Sequence, residues 1–124
     1  MNYLLSIAAI SGLVSVALGA FAAHGLKGRV AEHLLSAFQT GVQYQFYHTL
    51  ALLLLVVLYR QFQHGPLLWS YGFMLAGIIC FSGSLYMLAL TGIKFFGPIT
   101  PLGGVFFMIG WGILFVTSLK LGNS

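Results

Sequence analysis

The chain has 124 residues, of which 60% are hydrophobic and 5% charged, and its mean hydropathy is +1.01. An ordinary soluble domain carries about a quarter charged residues, so the composition excludes a soluble globule and leaves an integral membrane protein. Spans of about 20 residues use up nearly the whole length, which makes residues 1–124 a single transmembrane domain.

Five cations, Lys27, Arg29, Arg60, Lys94 and Lys120, stand against one acid, Glu32, for a net charge of +4. A nucleic-acid surface needs Lys and Arg clustered on one face, and these are scattered, so no nucleic-acid partner is expected. Cations at the ends of apolar runs meet lipid headgroups instead, and membrane lipids are the expected partners. Cys80 is the sole cysteine, which rules out an intramolecular disulfide and, among apolar neighbours, reads as an inert buried thiol.

The first span is expected over residues 3–23, an uncharged run that rises about 31 Å as a helix. Ala20 and Ala22 form a small-x-small pair of the kind a signal peptidase cuts, but no Lys or Arg precedes the apolar run, so it reads as a retained span. Gly25 marks its end, and Lys27, Gly28 and Arg29 continue the break. Residues 31–59 form a longer helical stretch. Its first third is amphipathic and interfacial, and its span proper covers residues 40–59. Arg60 and Gly65-Pro66 close it, and a third span follows over residues 67–90, ending at Thr91-Gly92. Thr100 stands at an N-cap position with Pro101 as the first helical residue, opening a fourth span over residues 101–119. The fold class is therefore all-α, an integral membrane bundle of four transmembrane helices with both termini on one side.

Lys27, Arg29 and Lys94 fall on one side, here called the near side. Arg60, Lys120 and the amino terminus fall on the other, and this even split assigns no orientation. Small residues recur at helical spacing: Ser11, Ser15 and Gly19, then Gly72 and Ala76, then Gly104 and Gly112. Such stripes let backbones approach closely within a bundle or between protomers. A faint echo of Ser11-Gly12 and Ala17-Leu18-Gly19 in Ser82-Gly83 and Ala89-Leu90-Thr91-Gly92 has unequal spacing and reads as chance.

Polar groups in hydrocarbon are costly, so their depth is informative. Gln39, Thr40, Gln43, Tyr44, Tyr47 and His48 fall in the first turns of the second span, with His48 about 12 Å below Thr40. Ser82, Ser84 and Tyr86 of the third span fall about 8 to 14 Å from its near end, at the depth of His48. His24 and Thr100 lie shallower on the same side. All four helices thus contribute to a polar half-site in one leaflet, and the other half reads as nearly all hydrocarbon. Tyr44 and His48 share a helix face, with Gln39, Gln43 and Tyr47 on an adjacent stripe. The bland alternative is hydrogen-bonded packing between helices. Tyr3, Tyr59, Trp69 and Tyr71 read as interfacial anchors. His33 and His64 read as solvated loop residues.

Catalysis has little to draw on. His48 with Ser82 or Ser84 forms at most a dyad, because Asp is absent and Glu32 lies at the interface. His24 and His48 are the candidate metal or haem ligands, without an i, i+4 His pair or a second Cys to support them. No catalytic residues, metal or cofactor are expected, and a channel through one protomer would require polar residues across the full thickness.

Four blocks bear on kinship: ISGLVSVALGAFAAHGL (Ile10 to Leu26), QTGVQYQFYHTLALL (Gln39 to Leu53), FSGSLYMLALTG (Phe81 to Gly92) and TPLGGVFFMIGW (Thr100 to Trp111). With these the chain resembles, over nearly its whole length, the domain-of-unknown-function 423 family. That family comprises small bacterial inner-membrane proteins of the YgdD and YwdK type, related to the eukaryotic transmembrane protein 256. The resemblance implies a four-helix protein of the bacterial cytoplasmic membrane, with no established activity to carry over. The expected function is a non-catalytic binding or accessory role. A polar half-site of His24, Gln43, Tyr44, Tyr47, His48, Ser82, Ser84, Tyr86 and Thr100 would take a lipid, a small amphipathic ligand or a partner protein. The alternative is a homo-oligomeric small-solute or ion transporter or channel.

Overall fold

A computed structural model describes residues 2–121, which contain helices and turns but no strand. Helix α1 (Asn2–Phe21) widens into a π-type turn (Ala22–Leu26), and α2 spans Glu32–Phe62. Helix α3 (Pro66–Gly77), a second π-type turn (Ile78–Ser82) and α4 (Gly83–Thr91) make one continuous rod, and a 3-10 turn (Lys94–Phe96) leads into α5 (Ile99–Leu121). Tyr3–Leu26, Glu32–Phe62, Pro66–Thr91 and Lys94–Leu121 are each long and apolar enough to cross a membrane. The four-span, all-α architecture is the expected one.

The ends follow local chemistry. Glu32 occupies the first turn of α2 and Arg60 its last, each the favourable charge for that end of the helix dipole. The 31 residues of α2 reach about 46 Å, longer than the hydrocarbon core, which accounts for its interfacial first turns. The helix stops where Gln63 turns left-handed and donates its N–H to the Tyr59 carbonyl, and Pro66 then starts α3. Gly92, at φ 70°, ends α4 in the conformation glycine adopts most readily.

Three local expectations are corrected. Gly25 does not stop the first helix, because the chain continues helically to Leu26 and turns at Gly28, whose φ is +83°. Gly25 instead makes room for the Phe21 ring, which a methyl there would meet at 2.6 Å. Thr100 does not cap α5, which begins at Ile99. Its hydroxyl faces the third span. His33 lies in the first turn of α2 rather than in a loop.

Helix α1 packs against α2, α5 packs against the third span, and α2 and the third span pack against each other in the middle. The far half is filled by Leu4, Leu55, Leu67, Tyr71 and Met74, and the near half by Ala22, Leu26, Phe38 and Ala89. Without a hydrophobic drive between helices in lipid, close backbone approach and interhelical hydrogen bonds hold the bundle. Helices come close at Gly103, where a methyl would collide with the backbone nitrogen of Phe81, and at Gly110, where it would meet Met74 Cγ at 2.7 Å. A methyl at Gly77 would strike the Phe107 ring. Of the expected small-residue stripes, Ser11 and Ser15 are buried against α2 and Gly19 approaches Val42. Gly72 and Gly112 have nothing within 4 Å of a built Cβ, so the seam between the third span and α5 runs through Gly77, Gly103 and Gly110 instead.

Candidate binding site

The hydrogen bonds of the membrane interior centre on α2. Its residues Phe38, Gly41, Gln45, His48, Leu52 and Leu55 are buried at three- and four-residue spacing on one face, with Thr49 and Val56 buried beside them. Gln45 Nε2 donates to the Ser11 carbonyl at 3.0 Å and to Ser11 Oγ at 3.2 Å, while its Oε1 accepts the Tyr86 hydroxyl at 2.5 Å. Thr49 Oγ1 donates to the Gln45 carbonyl at 2.7 Å and lies 2.7 Å from Ser11 Oγ, and Ser15 Oγ donates to the Ser11 carbonyl at 2.8 Å. One connected network therefore ties the first, second and third spans.

His48 joins α2 to α5. The Trp111 indole N–H donates to His48 Nε2 at 2.9 Å, so Nδ1 carries the ring proton and donates to the Tyr44 carbonyl at 2.8 Å. The imidazole lies flat on Phe107, with centroids 3.6 Å apart and planes 9° apart. Both nitrogens are engaged, and the residue is 5% exposed. Ser82 Oγ donates to the Gly41 carbonyl at 2.6 Å, and Ser84 Oγ lies 2.5 Å from Thr100 Oγ1. His48 forms no dyad with either serine.

The structure thus divides the nine candidate residues. His48, Ser82, Ser84, Tyr86 and Thr100 are brought inside the bundle and hydrogen-bonded there. Gln43, Tyr44 and Tyr47 face outward, Tyr44 over Phe81 at a centroid distance of 4.7 Å and Tyr47 55% exposed. His24 is exposed in the near-side π-type turn and joins neither group. Among the described residues no three His, Cys, Asp or Glu side chains gather as a metal-holding group. Cys80 is half-buried in the second π-type turn.

Polar packing also extends beyond the near half, contrary to expectation. In the far half, Ser70 Oγ donates to the Gly110 carbonyl at 2.7 Å and the Tyr71 hydroxyl to the Leu4 carbonyl at 2.6 Å. Tyr71 is 4% exposed, an internal strut rather than an interfacial anchor. Sequence reasoning overlooked Gln45, Thr49 and Trp111. The three-and-four spacing of Phe38, Gly41, Gln45, Thr49 and Leu52 carries the signal for the first two, and nothing local marks Trp111 as the His48 partner.

Outside the network lies an open groove of about 280 Å³, lined by Ser15, Val16, Val42, Gln43, Phe46 and Tyr47. Gln43 and Tyr47 are one helical turn apart on α2, and among the described residues neither side chain forms a hydrogen bond. The groove between α1 and α2 is thus apolar over its whole surface, and Gln43 and Tyr47 line it through their carbon atoms.

Fold and composition define a four-pass integral membrane protein. Residues 18–104 match the family model described as "Protein of unknown function (DUF423)". The chain is 43% identical over 121 residues to the UPF0382 membrane protein YwdK of Bacillus subtilis, covering 97% of this chain and 98% of that one. It is 42% identical over 120 residues to the UPF0382 inner membrane protein YgdD of Escherichia coli K12, covering 97% and 92%. The chain belongs to this DUF423 family of uncharacterised membrane proteins, and it is a multi-pass protein of the bacterial cytoplasmic membrane. No solved structure matches it.

Proposed function

We propose that the protein is a non-catalytic binding or accessory protein whose site is the groove between α1 and α2, taking the hydrocarbon part of a lipid or small amphipathic molecule. The observation that carries this reading is the wholly apolar surface of the groove, beside which Gln43 and Tyr47 stand outward on α2 without a hydrogen-bond partner among the described residues. In hydrocarbon an unpaired amide or phenol is costly, and a ligand carbonyl or hydroxyl satisfies it. Val16, Val42 and Phe46 supply apolar contact for a chain. No cofactor enters this reading, and it assigns no acid-base role to His48, whose two nitrogens are both engaged.

Native mass spectrometry of protein released in mild detergent tests it. Wild type is expected to retain a discrete adduct that Gln43→Leu with Tyr47→Phe loses. An adduct retained by that variant, or none in wild type, contradicts the reading.

The second reading is an oligomeric transporter or channel. It is favoured by the outward positions of Gly72 and Gly112, which leave room for a helix of another protomer. Leu52, Leu55, Met74 and Phe107 fill the bundle, so a solute path would run between protomers. Flux of ions or small metabolites in liposomes above that of empty vesicles would support it. Absence of flux counts against it.

A further inference from the structure

At the opposite end of the molecule, Ile109, Gly112, Ile113, Val116, Thr117 and Lys120 line one face of α5 at three- and four-residue spacing, and with Pro66 they border an open groove of about 440 Å³. A methyl at Gly112 would meet nothing within 4 Å, so the groove is unfilled there. Its deep part is apolar. Its outer end carries Thr117 and Lys120, one helical turn apart, with Lys120 in the last turn of α5.

Thr117 is 2% exposed and lines this groove, yet it makes no hydrogen bond among the described residues. Thr49 and Thr91 satisfy their hydroxyls on the carbonyl four residues earlier, the usual recourse of a helical threonine, and Thr117 does not. Lys120 is exposed, and the one acidic side chain of the sequence, Glu32, lies at the other end of the bundle. A threonine hydroxyl and a lysine ammonium, neither paired among the described residues, therefore both line this groove at its outer end, where it reaches the headgroup level.

We propose that this groove binds one anionic phospholipid of the far leaflet, its acyl chain along Ile109, Ile113 and Val116 and its phosphate between Lys120 Nζ and Thr117 Oγ1. A zwitterionic headgroup carries its own cation and gains less from Lys120. A free phosphate gains nothing from the apolar stretch. The site lies in the leaflet opposite the groove of Gln43 and Tyr47 and stands independently of that reading.

The test is a titration of the full chain in mild detergent with phosphatidylglycerol or phosphatidylcholine, with bound lipid counted by native mass spectrometry. Wild type is expected to bind one phosphatidylglycerol about fivefold more tightly than phosphatidylcholine, the preference one lysine near an anionic headgroup supplies. Lys120→Gln is expected to abolish the preference and Lys120→Arg to keep it. Thr117→Val is expected to weaken phosphatidylglycerol about threefold, the loss of one hydrogen bond in a membrane. Lys94→Gln, which removes a cation that lies at the other end of the bundle and lines neither groove, is expected to leave the preference intact. Equal affinity for the two lipids in wild type, or an undiminished preference in Lys120→Gln, would overturn the proposal. Displacement of the lipid by millimolar inorganic phosphate would overturn it too.

Discussion

The Trp111 indole donates to His48 Nε2 at 2.9 Å and thereby fixes the imidazole as the Nδ1–H tautomer, spent on the Tyr44 carbonyl. A histidine at mid-bundle, flat against Phe107, is in this way a strut between α2 and α5. His48→Leu is expected to move the Trp111 indole N–H resonance upfield in an NMR spectrum and leave that of Trp69 in place. Stability is expected to fall by about 1 kcal/mol, the scale of an interhelical hydrogen bond in membranes. An unmoved Trp111 resonance would remove this strut from the account.

The seam between the third span and α5 rests on glycines that no side chain can replace. Gly103→Ala drives a methyl into the Phe81 backbone, which cannot step aside as a flexible side chain would, and about 1 to 3 kcal/mol of destabilisation is expected. Gly112→Ala, in open space, is expected to be neutral in the protomer. Unfolding in mixed micelles with increasing dodecyl sulfate compares the two. Similar midpoints would contradict the packing described.

The four spans were legible because their apolar runs and their Gly and Pro punctuation are local properties. Thr91-Gly92 ended α4 as read, and Pro66 opened α3. The depth argument brought Ser82, Ser84, Tyr86 and Thr100 inside, but depth does not tell which way a side chain faces. Gln43 shares a stripe with Gln39 and Tyr47, while Gln45, two residues on, occupies the buried face. The seam was misplaced for a related reason, since Gly103 and Gly104 are adjacent and only the partner helix selects one. The π-type turn at Ile78–Ser82 carries no proline or charge to announce it. Its fit to Gly103 and to the Gly41 carbonyl appears only in three dimensions.

Tyr71 anchors the start of α1 through the Leu4 carbonyl. Tyr71→Phe keeps the ring and removes the bond, so faster amide exchange over the first two turns of α1 is expected, with a stability loss of about 0.6 kcal/mol and at most about 1.7. Exchange unchanged from wild type would show that the bond bears no load.

The central claim is that polar residues of α2 divide into an inward set that holds the fold and an outward set free to bind. The most direct measurement is the unfolding midpoint in mixed micelles of Gln45→Leu against Gln43→Leu. Gln45→Leu strands the Tyr86 hydroxyl and the Ser11 carbonyl contact, and it is expected to lose about 1 to 3 kcal/mol. Gln43→Leu places an apolar side chain on a lipid-facing surface and is expected to match wild type or exceed it. Equal losses in the two variants, or a loss confined to Gln43→Leu, would contradict the division.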